Sequence, residues 1–216
     1  CIRDSLRTGF SIPFKLTLNG LFQFAVKPKW ALNYLTHDKF SLPQLEEFID
    51  MKGDSVSVGK YFTEMLDPAM TWDDVARMVE FWDGQFCLKG VMSVEDARKA
   101  AEIGCTGIVV SNHGGRQLDG SRSPFDQLGE IVDAVGDRLD VIMDSGIQRG
   151  THILKALSMG AKAVGGGRFY LYALAAAGQG GVERALELMK LEIERDMRLM
   201  GVTRLGDLNR DNLRFR

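Results

Sequence analysis

An alternation that sets in after about residue 71 constrains this chain more than anything else in it. A short apolar run is followed by an amphipathic helical stretch, four times over, at intervals of roughly 20 to 35 residues. Thr71 is a candidate N-cap for a helix over 72–82, and Ser93 for one over 93–104 that closes at Gly104. Further helices are predicted over 124–135, ending at Gly136, over 151–159, ending at Gly160, and over 182–200, stopped by Gly201. Strands are predicted over 86–89, 106–111, 140–144 and 161–164. Ahead of residues 67–72 the pattern is irregular, with Pro13, Pro28 and Pro43 as breakers. Strands that alternate with crossover helices make an α/β fold with a parallel sheet covered on both faces. Each strand runs into a polar or glycine-rich segment, at 89–90, 111–116, 144–150 and 165–168. A (β/α)8 barrel keeps its active site at that end of its strands, and an open flavodoxin-like sheet does the same. Periodicity leaves both architectures open, and four units make only half of an eight-unit barrel.

Composition narrows the function classes. A chain of 216 residues, 45% hydrophobic and 26% charged, can bury a sizeable core and is not of the disordered type. A net charge of −2 argues against a dedicated nucleic-acid binder. No apolar run is long enough for a transmembrane helix, and no secretory signal is present. Cys1, Cys87 and Cys105 lack metal-ligand spacing and read as buried thiols of a reducing, cytoplasmic compartment; no metal site is expected. The first residue is Cys1, so the chain is expected to begin inside a longer or processed protein. Residues 5–37 hold no acid but do hold Arg7, Lys15, Lys27 and Lys29 among many Phe, Leu and Trp residues. Such a window, and 12–36 within it, suits peripheral contact with an anionic membrane at the inner face of the cell. The competing reading is a loop packed on the enzyme itself or on a neighbouring subunit.

Chemistry concentrates in 111–120, SNHGGRQLDG. His113 and Arg116 flank two glycines that permit a sharp turn after a strand. An imidazole is the usual general base near neutral pH, and a guanidinium fork fits a carboxylate in bidentate fashion. Together they suit removal of a proton beside a carboxylate, although an HGGR loop in an arbitrary protein is more often structural. Lys89, at a strand end, is either a snorkelling surface lysine or a fixed positive charge at the mouth of the site. The segments 144–150, DSGIQRG, and 165–168, GGGR, follow consecutive strands and together suggest a phosphorylated ligand. His37 and His152 lack a partner pattern and read as structural.

Taken together, LKG at 88–90, GIVVSNHGGRQLDG, DSGIQRGTHILKALSMGA and GGGRFYLYALAAAGQ resemble the FMN-dependent L-2-hydroxy-acid oxidases and dehydrogenases. The resemblance covers nearly the whole chain and implies a (β/α)8 barrel, of which this chain holds the fifth to eighth βα units and, over residues 1–70, a long fourth βα loop. It implies His113 as base, Arg116 as substrate-carboxylate clamp, and Lys89 beside the flavin pyrimidine. It implies Ser111 and Asp144 as flavin and ribityl contacts, and Ser145, Gly146, Gln148, Gly167 and Arg168 around the FMN phosphate. L-Lactate is the expected substrate, a quinone or respiratory carrier the expected acceptor, and a tetramer the expected assembly of the parent enzyme. The lysine-rich window is similar to the membrane-binding loop of mandelate dehydrogenase, with a KPKW element at 27–30. An oxygen-using oxidase and an inactive half-barrel remain as alternatives. Two departures stand out. Many members carry an arginine where this chain has Gln148, so the phosphate arginine is missing or displaced to Arg149. The family's first four strands lie outside this sequence, so the chain alone is expected neither to bind FMN tightly nor to turn over.

Overall fold

A computed structural model describes residues 17–37 and 65–215. The chain divides into two compact units, Cys1–Met70 and Thr71–Arg216.

In the first unit two short helices follow one another, α1 (Leu18–Ala25) and α2 (Pro28–Thr36). Thr17 caps α1, its hydroxyl accepting from the Gly20 N–H at 3.1 Å. Pro28 was read as a breaker, but it occupies the first position of α2. That position needs no N–H donor, and the fixed φ of proline suits it. The rings of Phe24 and Trp30 lie 5.1 Å apart across the junction. Leu18, Phe22, Leu32 and Leu35 are exposed. Pro13, Pro43 and residues 5–16 of the acid-free window lie outside the described residues.

The second unit is a run of βα units. Helix α3 (Trp72–Trp82) precedes β1 (Cys87–Lys89), α4 (Val94–Glu102), β2 (Gly107–Val110), α5 (Pro124–Val135), β3 (Asp140–Met143), α6 (Gly150–Ser158), β4 (Ala163–Val164) and α7 (Arg168–Met200). The four strands form one parallel sheet in the order β1-β2-β3-β4. Leu88 faces Ile108, Ile108 faces Val141, and Met143 faces Val164. Local signals place the helices. Thr71 and Asp74 form a reciprocal capping box on α3. Ser93 accepts from the Asp96 N–H at 3.0 Å at the start of α4, and Pro124 opens α5.

The strands are shorter than their apolar runs. The hydroxyl of Thr106 takes the Phe86 N–H at 2.9 Å, and the ladder starts one residue later. The middle strands carry the core: Ile108, Val110, Val141 and Met143 pack with Leu128, Ile131 and Val135 of α5. Among the described residues β1 and β4 stand at the edges of the sheet. This explains a correction: Cys105 is buried, but Cys87, on the edge strand, is exposed. Desolvation of the sulfur, only partial at the exposed Cys87, pushes both thiols up, assisted at Cys87 by the Asp140 carboxylate, so neither is an activated thiolate.

Helix α7 begins 14 residues earlier than the predicted 182–200. It breaks at Ala177 and Gly178, where Gly178 has φ 60°. The stretch before the break is apolar on every side and therefore shows no amphipathic period. Gly201, left-handed at φ 70°, ends α7 as predicted, with the Val202 N–H donating back to the Met197 carbonyl at 3.0 Å.

Leu128 is fully buried between α5 and the sheet, whereas Leu188 on α7 is half exposed. Leu128→Ala should therefore destabilise the protein by about 2–5 kcal/mol in urea denaturation, and Leu188→Ala by less than about 0.5 kcal/mol.

Candidate active site

All four strands are parallel, so their carboxyl ends meet at one rim, and the predicted site residues stand there. Lys89 is the last residue of β1; Ser111 and Asp144 each follow their strand by one position. The Lys89 Nζ donates to Ser111 Oγ at 3.0 Å and lies 3.2 Å from Asp144 Oδ2. Ser145 Oγ donates to Asp144 Oδ1 at 2.7 Å, and Ser111 Oγ accepts the His113 N–H at 3.2 Å. Burial is the largest single influence on Asp144 and opposes its ionisation. The hydrogen bonds of Ser111, Ser145 and Lys89, with the lysine charge, outweigh it and hold the carboxyl below its usual value. Lys89 is thus no free snorkelling lysine, since it ties three strand ends together.

Beside this network an open cleft of about 340 Å³ is lined by His113, Arg116, Asp144, Ser145, Gly146, Gln148, Gly167 and Arg168, with Phe169–Leu171 from the start of α7. Eight of the ten predicted site residues line it, and the other two, Lys89 and Ser111, are bonded to its edge. His113, Gly114 and Gly115 form a single tight turn with φ of 56°, 70° and 69°. Ser145 and Gly146 repeat the left-handed conformation at 75° and 77°. Of the three left-handed non-glycine residues among those described, Asp83 caps α3 and the other two, His113 and Ser145, lie in this cleft, strain of the kind that gathers at working sites.

The donor set suits the phosphate end of a cofactor. Gly165–Gly167 present backbone without side chains. Helix α7 starts there with no capping side chain and no acid in its first turn, and Arg168 contributes a guanidinium. The N-terminus of α6 is not available in the same way. Glu192 accepts the Gly150 N–H at 2.6 Å and the Nε of Arg149 at 2.7 Å. Arg149, the candidate for a displaced phosphate arginine, turns to Glu192, and Gln148 is the residue that lines the cleft.

Three contacts escaped the sequence. The amide of Gln117 lies 3.1 Å from His113 Nδ1. His152, read as structural, stands behind the 144–150 loop with Nδ1 at 3.2 Å from the Gly146 carbonyl and 3.3 Å from the Gln148 N. Arg168 donates to the Gly114 carbonyl at 2.7 Å. Gln117 and His152 each lie four residues from a partner and were within reach of a local reading, whereas Arg168 lies 54 residues from Gly114.

The profile of the FMN-dependent dehydrogenases matches residues 3–215. The chain belongs to that family. It is 38% identical to an L-lactate dehydrogenase of Chromohalobacter salexigens, covering 91% of this chain and 50% of the relative. It is 44% identical to the L-lactate dehydrogenase (cytochrome) of Saccharomyces cerevisiae, covering 74% of this chain and 28% of the relative. The chain thus spans half or less of the length of both relatives. Among solved structures, that of the monotopic membrane protein (S)-mandelate dehydrogenase superposes on 98% of this chain and 56% of its own, with a TM-score of 0.88 at 32% identity. The family's cofactor is FMN, and the four βα units are part of its (β/α)8 barrel.

The Glu192 arrangement makes a pH prediction. Hydrogen bonds from Arg149, then from the Gly150 N–H, lower its carboxyl from 4.5 to about 2. A depressed folded-state value means that the stabilisation is complete above pH 4.5 and fades as the pH falls towards 2. Glu192→Gln should lower the stability at neutral pH and flatten the acid limb of the stability profile in that window, as measured by urea midpoints at several pH values.

Proposed function

We infer that this chain is the part of an FMN-dependent L-2-hydroxy-acid dehydrogenase that carries the base and the substrate clamp, with L-lactate as substrate. The observation that carries this reading is the left-handed turn that brings His113 and Arg116 to one cleft with the glycine cradle and Arg168. FMN, when bound, supplies the acceptor for the two electrons lost as the alcohol carbon becomes a carbonyl. His113 takes the proton, from the α carbon or from the hydroxyl. The Gln117 Nε2 faces Nδ1, so Nε2 of the imidazole serves as base once the amide turns its oxygen to Nδ1 and Nδ1 carries the ring proton. Arg116 binds the substrate carboxylate through its fork. Lys89 sets a positive charge at the rim, where negative charge develops on reduction, and Asp144 keeps that lysine in place. Ser111 and Asp144 contact the flavin side of the site. Ser145, Gly146, Gln148, Gly167 and Arg168 hold the phosphate.

In the full-length enzyme, His113→Gln should abolish flavin bleaching by L-lactate while FMN stays bound. Arg116→Lys keeps the charge but loses the fork, and should weaken transition-state binding by about 2–4 kcal/mol, read as kcat/KM. Full bleaching rates in the first variant, or unchanged kcat/KM in the second, would remove those residues from their roles.

The first unit supports peripheral membrane attachment. No described helix is long and apolar enough to cross a bilayer. Helices α1 and α2 instead expose Leu18, Phe22, Trp30, Leu32 and Leu35 alongside Lys27 and Lys29, and residues 5–37 hold no acid. Exposed apolar side chains among lysines suit an anionic bilayer surface, and such residence favours a quinone or respiratory carrier as acceptor. Each basic residue near that surface contributes about 1 kcal/mol. Replacing Lys27 and Lys29 by Glu should therefore reduce sedimentation with phosphatidylserine-containing vesicles by about tenfold or more. Equal binding by wild type and variant, or faster reoxidation by oxygen than by a quinone, would favour a subunit contact and an oxidase.

A further inference from the structure

Gly114 sits between the base and the clamp and is held by two other loops. Its N–H donates to Ser145 Oγ at 2.9 Å, and its carbonyl accepts from Arg168 Nη2 at 2.7 Å. Ser145 comes from the loop after β3, and Arg168 from the start of α7 after β4. Both bonds bear on the middle of three successive left-handed residues. Glycine adopts that conformation freely, but at His113 the Cβ makes it strained, and it persists only where the surroundings impose it. The two bonds supply that imposition, one on each side of Gly114. The fit is close: a Cβ at Gly114 would strike the guanidinium of Arg168.

We propose that Arg168 is a positioning residue for His113, bridging the cofactor phosphate and the Gly114 carbonyl, so that seating the phosphate locks the turn that aims the base. This rests on the reading of His113 as base and of the cleft as the FMN site. A guanidinium can do both at once, because its planar fork of five N–H donors serves two acceptors on different edges. An ammonium is a single charged point and must choose. Ser145 holds the other side of the same residue through a neutral hydroxyl, and because it also belongs to the proposed phosphate set its variant is compared at full flavin loading. Coupling through Gly114 is reciprocal: phosphate tightens the turn, and a firm turn tightens phosphate.

The test uses the full-length enzyme with Arg168→Lys and Ser145→Ala. The first measurement is hydrogen exchange of the Gly114 amide in the apo-protein, then with FMN or with riboflavin, which lacks the phosphate. FMN should slow exchange by about tenfold or more in the wild type; riboflavin should not, and Arg168→Lys should lose the FMN effect. The second measurement is kinetics at full flavin loading, checked by absorbance. Both variants should lose about tenfold to a hundredfold in kcat with KM little changed, the pattern of a misaimed base. The proposal is overturned if FMN and riboflavin protect the Gly114 amide alike. It is also overturned if excess FMN restores Arg168→Lys to the wild-type kcat, for then the arginine only holds phosphate. His113→Gln is run in parallel. Should that variant still reduce its flavin normally, the base assignment fails on its own, and the exchange data still decide the role of Arg168.

Discussion

A carboxylate drawn out of water must be compensated where it stands. Asp144 is such a group, with its side chain only 23% exposed. Its compensation comes from Lys89 at the end of β1, Ser111 after β2 and the neighbouring Ser145. That is possible only because the strands are parallel, since an antiparallel sheet would send alternate strand ends to opposite rims. The carboxylate thus fixes the height of three loops relative to one another; the base and the clamp are built on the second of them, and the glycine cradle follows the neighbouring β4. Replacing Asp144 would leave Lys89 facing Ser111 without a counter-charge and Ser145 without its acceptor. The damage would spread along the rim instead of staying at one residue.

What the sequence made legible follows the range of the physical signal. Helix α5 was bounded correctly because Pro124 and Gly136 act locally, and α3 because Thr71 and Asp74 lie within one turn. His113 and Arg116 were found together because four residues of chain hold both, and the cradle because its glycines cluster behind two strands. The first half of α7 was missed because a helix apolar all round carries no period, and α2 because a proline signals both a break and a first helical position. The pairing of Arg149 with Glu192 spans 43 residues and that of Arg168 with Gly114 spans 54, so no local pattern announces either. Cys87 was misplaced because an apolar run does not say whether its strand lies at an edge.

The two units divide the chemistry of the chain. The second holds every residue assigned to catalysis or cofactor, on short strands backed by a packed core. The first, as far as it is described, has helices that leave large apolar side chains in solvent. Exposed apolar side chains in the company of lysines without acids are what the proposed contact with an anionic surface rests on.

Glu192 has an effect that reaches past the helix it caps. Two helices, α6 and α7, point their N-termini at the rim, but the Gly150 amide of the first is already taken by Glu192, itself paired with Arg149. Among the described residues, the donors left open to an anion are therefore gathered on the β4 side, where Arg168 stands beside the uncapped amides of α7. A long ligand with one anionic tail would find its place for that tail there, with its uncharged part left to lie towards β1 and β2. The polarity of docking would then owe something to an acid that lines no part of the cleft.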